Sequence, residues 1–172
     1  MTVPFLVAMA NTLRWMGEDL ASGQSCRYRL KVARGQPFFE QLDGATLVQL
    51  LDFFWMEVWC VLRLHEVSRS RGLVAQKVFD QAAQYDVSVA TRWLQQALRG
   101  AGAIYLCVDG KPGPKTIAAL NAEGDPAVVL PLLMGAEADY WRWRAKDDPA
   151  KVPDLKDRLR RANWDPRTTQ VG

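Results

Sequence analysis

A chain of 172 residues that is 49% hydrophobic and carries seven tryptophans can bury a core of its own, which excludes a disordered tail. Its net charge of +3 and pI near 8.9 suit weak attraction to an anionic polymer, cell wall or nucleic acid, without selecting either. Three scattered cysteines (Cys26, Cys60, Cys107) and one histidine, His65, make neither a disulfide framework nor a zinc site, and no cofactor is implied.

The first predicted helix runs from about Pro4 to Leu20, with Phe5, Met9, Leu13, Met16 and Leu20 at helical spacing. Gly17 weakens its last turn, and Ser22-Gly23 ends it. No basic residue precedes the apolar stretch from Val3 to Ala10, so it does not read as a secretion signal. The product is expected to be cytoplasmic as synthesised, reaching a wall only through a lysis or export system. Cys26 to Val32 then alternates apolar and basic residues with a period of two, the pattern of a strand with Arg27, Arg29 and Lys31 outward. Asp43 reads as the N-cap of a helix from about Ala45 to Trp59 or Cys60. The longest apolar run, Phe53 to Leu62, is interrupted by Glu57 and is too short to cross a bilayer, so no membrane insertion is expected.

Ser68 to Gly72 reads as a basic loop, and the next helix, Leu73 to Gln84, carries a narrow stripe of Val74, Val78, Phe79 and Ala82. Asp86 caps a helix from Val87 to Arg99, ended by Gly100 and Gly102. Ala103 to Val108 is apolar, β-branched or aromatic and bounded by turn signals. It is the expected strand partner of residues 26–32. Asp109-Gly110 is a tight-turn pair, since glycine accepts positive φ there, and Gly113, also expected at positive φ, caps a short helix led by Pro114 and stopped by Asn121 and Gly124. Asp125 and Pro126 begin a long helix to about Lys146, with a bend expected at Pro131. Asp154 caps a last helix through Leu155, Leu159 and Ala162, and a loose tail is expected from about Asp165.

Asp109-Gly110-x-x-Gly113-Pro114-x-Thr116, with Leu94-Gln95-x-Ala97-Leu98 upstream, resembles the C-terminal half of the bacterial and phage N-acetylmuramidase family. That family is also labelled "secretion activator" or predicted peptidoglycan-domain proteins. Val78-Phe79-Asp80, Asp125-Pro126-Ala127, Tyr140 and Leu155-Lys156-x-x-Leu159 continue the resemblance, as do Arg34-Gly35-Gln36-Pro37 and the helix ending near Trp59. It covers about residues 34 to 164, with a weaker match over the first helix. It implies a mainly α, lysozyme-like fold with one small β element after the first helix. A single domain would fill 1–172: 1–72 as a divergent catalytic half, 73–164 as a peptidoglycan-binding-like helical half, and 165–172 as a tail.

Glycoside cleavage needs a carboxylic acid at the leaving oxygen and a second carboxylate or water across the ring. In the family that acid is a Glu in a Glu-Gly-Gly motif near the end of the first helix. Here the corresponding position is Met16-Gly17, and the Gly- and Asp-rich loop that follows in the family is missing. Met cannot transfer a proton. Glu18 lies in the last turn, where the negative end of the helix dipole raises a carboxyl pKa as a general acid requires. It reads either as a displaced acid or, with Asp19, as a solvated residue at a fraying helix end.

By the same resemblance Asp109, Gly110 and Gly113 are candidate substrate-binding residues. Trp141 and Trp143, in Trp141-Arg142-Trp143-Arg144, are candidates for stacking on a sugar ring or a partner, since that spacing turns at least one Trp to solvent. The expected partners are peptidoglycan glycan strands or a protein. Nucleic acid is not expected, since no recognised motif accompanies Arg27, Arg29, Lys31 and Arg34. The readings are a peptidoglycan-directed muramidase with weak or lost activity, or a non-enzymatic interaction module on the same scaffold.

Overall fold

The computed structural model describes residues 3–15, 47–147 and 155–168. Met16, Gly17, Glu18, Asp19, the expected strand from Cys26 to Val32, and the caps Asp43 and Asp154 lie outside the described residues. The described chain is mainly helical. Helix α1 is Val3–Trp15, α2 is Leu47–Phe53, α3 is Gly72–Gln84 and α4 is Val87–Gly100. Helix α5 is Pro114–Glu123, α6 is Pro126–Asp147 and α7 is Leu155–Ala162.

Helix α3 is the axle. It packs against α1, α4 and α6, the turns before it, and the last turn of the described chain, Pro166–Thr168. Nine of its thirteen residues are buried, so it is enclosed on more sides than its narrow apolar stripe suggests. Ala75, Ala82 and Ala83 allow neighbouring backbones close, while Val74, Val78 and Phe79 fill the remaining volume. On α1, Phe5, Met9 and Leu13 are buried at the predicted spacing. The Phe5 ring meets Trp55, Trp59 and Phe79 edge to face at centroid distances of 5.1, 5.5 and 5.7 Å. A second aromatic group, Tyr85, Trp93, Tyr140 and Trp141, joins α3, α4 and α6.

Helix α2 continues as predicted to Trp59, but over Phe54–Trp59 it widens to a π-helix, and Cys60 N donates to Trp55 O at 2.9 Å. Arg63, at φ 58°, breaks the chain away. A non-glycine residue in that region costs roughly 1–2 kcal/mol, and the guanidinium is held by a bidentate pair with Glu66, both contacts 2.7 Å. That pairing holds the Glu66 carboxyl below its ordinary range. The expected basic loop is a single turn, Arg69–Arg71, running directly into α3.

The predicted caps of α4, α5 and α6 are in place. Val89 N donates to Asp86 Oδ1 at 2.7 Å, Gly113 precedes Pro114 at the first position, and Ala127 N donates to Asp125 Oδ1 at 2.9 Å. Helix α5 passes through Asn121 to Glu123. Asn121 does not stop it but clamps the turn before α3, accepting from Ser68 N at 2.8 Å and donating to Glu66 O at 3.2 Å. Helix α6 runs without interruption through Pro131. The bond lost there is the one its N–H would have made to Ala127 O, and the helix continues on either side of it.

Ala103 to Val108 is not a strand, and no strand occurs among the described residues. The small β element is therefore not supported. The physical reason is how α4 ends. Gly102, at φ 125°, sends its N–H to Arg99 O at 3.2 Å, and Ala103 N reaches back to Leu98 O at 2.9 Å. This is a Schellman termination. Leu106 N then bonds Ala103 O, and Leu106 O accepts from Arg99 Nη1 at 3.1 Å. Backbone groups that a ladder would need are spent on closing the helix.

The tail expectation is also corrected in part. Pro166–Thr168 forms a 3₁₀ turn with Pro166 buried, and Trp164 before it is 7% exposed.

Candidate functional site

The corner after α4 is built around one buried amide. Gln95, 1% exposed on α4, donates through Nε2 to Asp109 Oδ1 at 2.8 Å, Lys111 O at 3.2 Å and Thr116 Oγ1 at 3.2 Å. Its Oε1 accepts from Gly110 N at 2.9 Å. Asp109 Oδ1 also accepts from Lys111 N at 2.8 Å. The Lys111 amide, then the Gln95 side chain, hold the Asp109 carboxyl below the ordinary aspartate range. Asp109 and Gly110 are thus tied into the corner, with Asp109 exposed and Gly110 buried.

The left-handed position is Gly110, at φ 75°, where a Cβ would lie 2.6 Å from Ser88 Oγ and 2.8 Å from Arg92 Nε. Gly113, expected there, is instead extended at φ −88° and ψ 174°, with open space around it. Gly110→Ala should therefore destabilise the domain by roughly 1–3 kcal/mol. Gly113→Ser should leave it unchanged or stabilise it by a few tenths, since serine is a good N-cap. Paired urea titrations check this, and a larger loss at Gly113 than at Gly110 would show that the strain is misplaced.

The two candidate tryptophans part company. Trp141 is 9% exposed, enclosed by Tyr85 and Tyr140, with the Arg158 guanidinium 4.3 Å above its ring. Trp143 is 59% exposed and has Tyr140 beside it at a centroid distance of 6.4 Å. Of the two, only Trp143 offers a face for stacking. Ile104 and Tyr105, on the loop leading to the corner, are 76% and 67% exposed. His65 stands at the surface with Nε2 3.5 Å from Glu66 Oε1.

Sequence reasoning missed a second polar centre, buried where α3, α6 and α7 meet. Lys77 and Glu137 are fully buried and 3.0 Å apart. Lys77 Nζ also donates to Ala162 O at 3.0 Å and Arg161 O at 3.3 Å, the last carbonyls of α7. Three donors meet three acceptors. Glu137 accepts further from Gln81 Nε2 at 3.1 Å and Tyr85 OH at 3.2 Å. Burial, followed by the Glu137 charge, pushes the Tyr85 phenol far up, so it stays a donor. Asp80, also fully buried, accepts from Arg161 Nη2 at 2.7 Å and Thr12 Oγ1 at 3.1 Å.

Gln84 Nε2 spans the two carboxylates, 2.9 Å from Asp80 Oδ2 and 3.4 Å from Glu137 Oε1. Two cations and two carboxylates balance, enclosed and hydrogen-bonded. Chemically this is a latch: neither carboxylate is placed to meet a substrate.

No helix among the described residues is long and apolar enough to cross a membrane. The chain matches no family model, no curated protein and no solved structure.

Proposed function

We propose that the chain is a lysozyme-like, peptidoglycan-directed protein of the N-acetylmuramidase type whose glycosidase activity is weak or lost. The observation that carries this reading is the Gln95 corner. Gln95, Asp109, Gly110 and Thr116, quoted from the sequence for their resemblance, converge on one hydrogen-bonded hub. A motif whose parts depend on one another physically is better support than the same letters scattered over a surface. In this reading Asp109, Gly110 and Gly113 shape the corner, Trp141 packs in the core against Tyr85 and Tyr140, and Trp143 is the side chain that stacks on a sugar ring. Weak activity follows from Met16 at the acid position, since a positioned general acid is worth on the order of 10²–10⁴ in rate. Glu18, in the last turn of the first predicted helix, is its candidate replacement.

The second reading, a protein-interaction module on the same scaffold, is favoured by Ile104 and Tyr105. Two large apolar side chains on one exposed loop offer a contact for a protein surface.

The test is retention on purified sacculi together with turbidity clearing. The expected result is retention, reduced in Trp143→Ala, with little or no clearing. Any clearing should vanish in Glu18→Gln while retention persists. Absence of retention would sink the peptidoglycan reading and leave the interaction module. Strong hydrolysis that survives Glu18→Gln would place the acid elsewhere.

A further inference from the structure

We infer that the cavity between α1 and the turns leading into α3 binds a small amphipathic anion, an apolar body bearing one carboxylate or sulfonate. The cavity, open to solvent on one side, has a volume of about 580 Å³, within the roughly 300–1,000 Å³ of small-molecule sites. Its walls are mostly apolar, with Trp59, Leu64 and Leu73 among them. Among the described residues its ionisable lining is His65 and Arg69, with no acidic residue.

The sign of the preferred ligand follows from how the neighbouring charges are spent. Arg63 is bound to Glu66 through two contacts of 2.7 Å, and Arg71 Nη2 reaches Ala122 O at 3.4 Å. The exposed Arg69 side chain has no acceptor among the described residues. The Glu66 carboxylate, which could otherwise neutralise this rim, is taken by Arg63, with His65 a further 3.5 Å contact.

An apolar chamber with an unspent guanidinium at its rim favours a ligand that is greasy at one end and negative at the other. A neutral hydrocarbon would leave Arg69 unused, and a cationic amphiphile would face like charge. This site is separate from the Gln95 corner, whose residues do not line it.

Calorimetric titration of the full chain with decanoate tests this, with decylamine as the cation bearing the same tail. Saturable one-to-one binding of decanoate is expected, with decylamine at least about tenfold weaker. Arg69→Glu should weaken decanoate by about tenfold or more. Leu73→Trp, which fills the chamber, should abolish binding. If Leu73→Trp does not melt like the parent it is set aside, and the surface variant Arg69→Glu decides with the decylamine comparison. No saturable decanoate binding, equal affinity for the two amphiphiles, or unchanged affinity in Arg69→Glu would each overturn the assignment.

Discussion

Lys77→Ala is expected to remove about 3–5 kcal/mol of stability, a large share of what a domain of this size possesses. Chemical denaturation read by tryptophan fluorescence would show it. The loss has three parts that act together. The Glu137 carboxylate stays buried without its cation, and the Ala162 and Arg161 carbonyls lose the ammonium that closed the end of α7. A void also opens beneath Trp164, whose ring centroid lies 5.7 Å from the lysine nitrogen. Lys77→Met keeps most of the volume but not the charge, so it separates packing from pairing.

The double variant Lys77→Met with Glu137→Gln should be markedly less damaging than the sum of the two singles, because the orphaned charge is removed with its partner. Additive losses would mean that the two groups are not coupled as their 3.0 Å separation implies. Trypsin accessibility of the C-terminal segment should rise in Lys77→Ala, since α7 and the Pro166 turn are held by this latch.

The latch also shows where reading the sequence stops. Lys77, Asp80, Gln81 and Gln84 recur three or four residues apart opposite the apolar stripe of α3, the pattern of a helix with one wet face. Only the arrival of α6 and α7, more than fifty residues later, turns that face into an interior. Glu137 gives no sign either, standing among small and apolar residues in the middle of α6. The caps are the opposite case. Asp86, Gly113-Pro114 and Asp125-Pro126 act within four residues of themselves, so their chemistry is legible without tertiary structure.

The segment Ala103 to Val108 lies between these cases. Its composition suits a strand, but Gly102 just before it fixes the fate of its backbone groups, and local propensity loses to the helix terminus. At the corner the tight-turn reading of Asp109-Gly110 holds, with Gly110 at φ 75°, and only the positive φ expected at Gly113 fails. Gly113 was legible as an N-cap, whereas the positive φ of Gly110 follows from the turn that Asp109 and Gln95 close together.

Gln95→Leu is expected to cost roughly 2–4 kcal/mol and to loosen the corner before the rest of the domain. Leucine has about the volume of the lost side chain, so packing changes little and polar terms dominate. The Gly110 N–H, buried and donating at 2.9 Å to Gln95 Oε1, is left without its acceptor. Asp109 Oδ1, Lys111 O and Thr116 Oγ1 each lose a donor, but Asp109 keeps the Lys111 amide and its exposure to water. The buried donor is therefore the expensive loss, and the carboxylate a minor one. Asp109→Asn should accordingly cost less than Gln95→Leu, because an amide oxygen can still accept from Lys111 N. Native-state hydrogen exchange gives the sharper readout: protection of the Gly110 amide should collapse in Gln95→Leu while amides in the middle of α3 fall only with global stability. Retention on sacculi should fall in the same variant if the corner sets the shape of the glycan-facing surface. A Gly110 amide that stays protected in Gln95→Leu would mean that the turn holds itself, and that Gln95 is a passenger at its own hub.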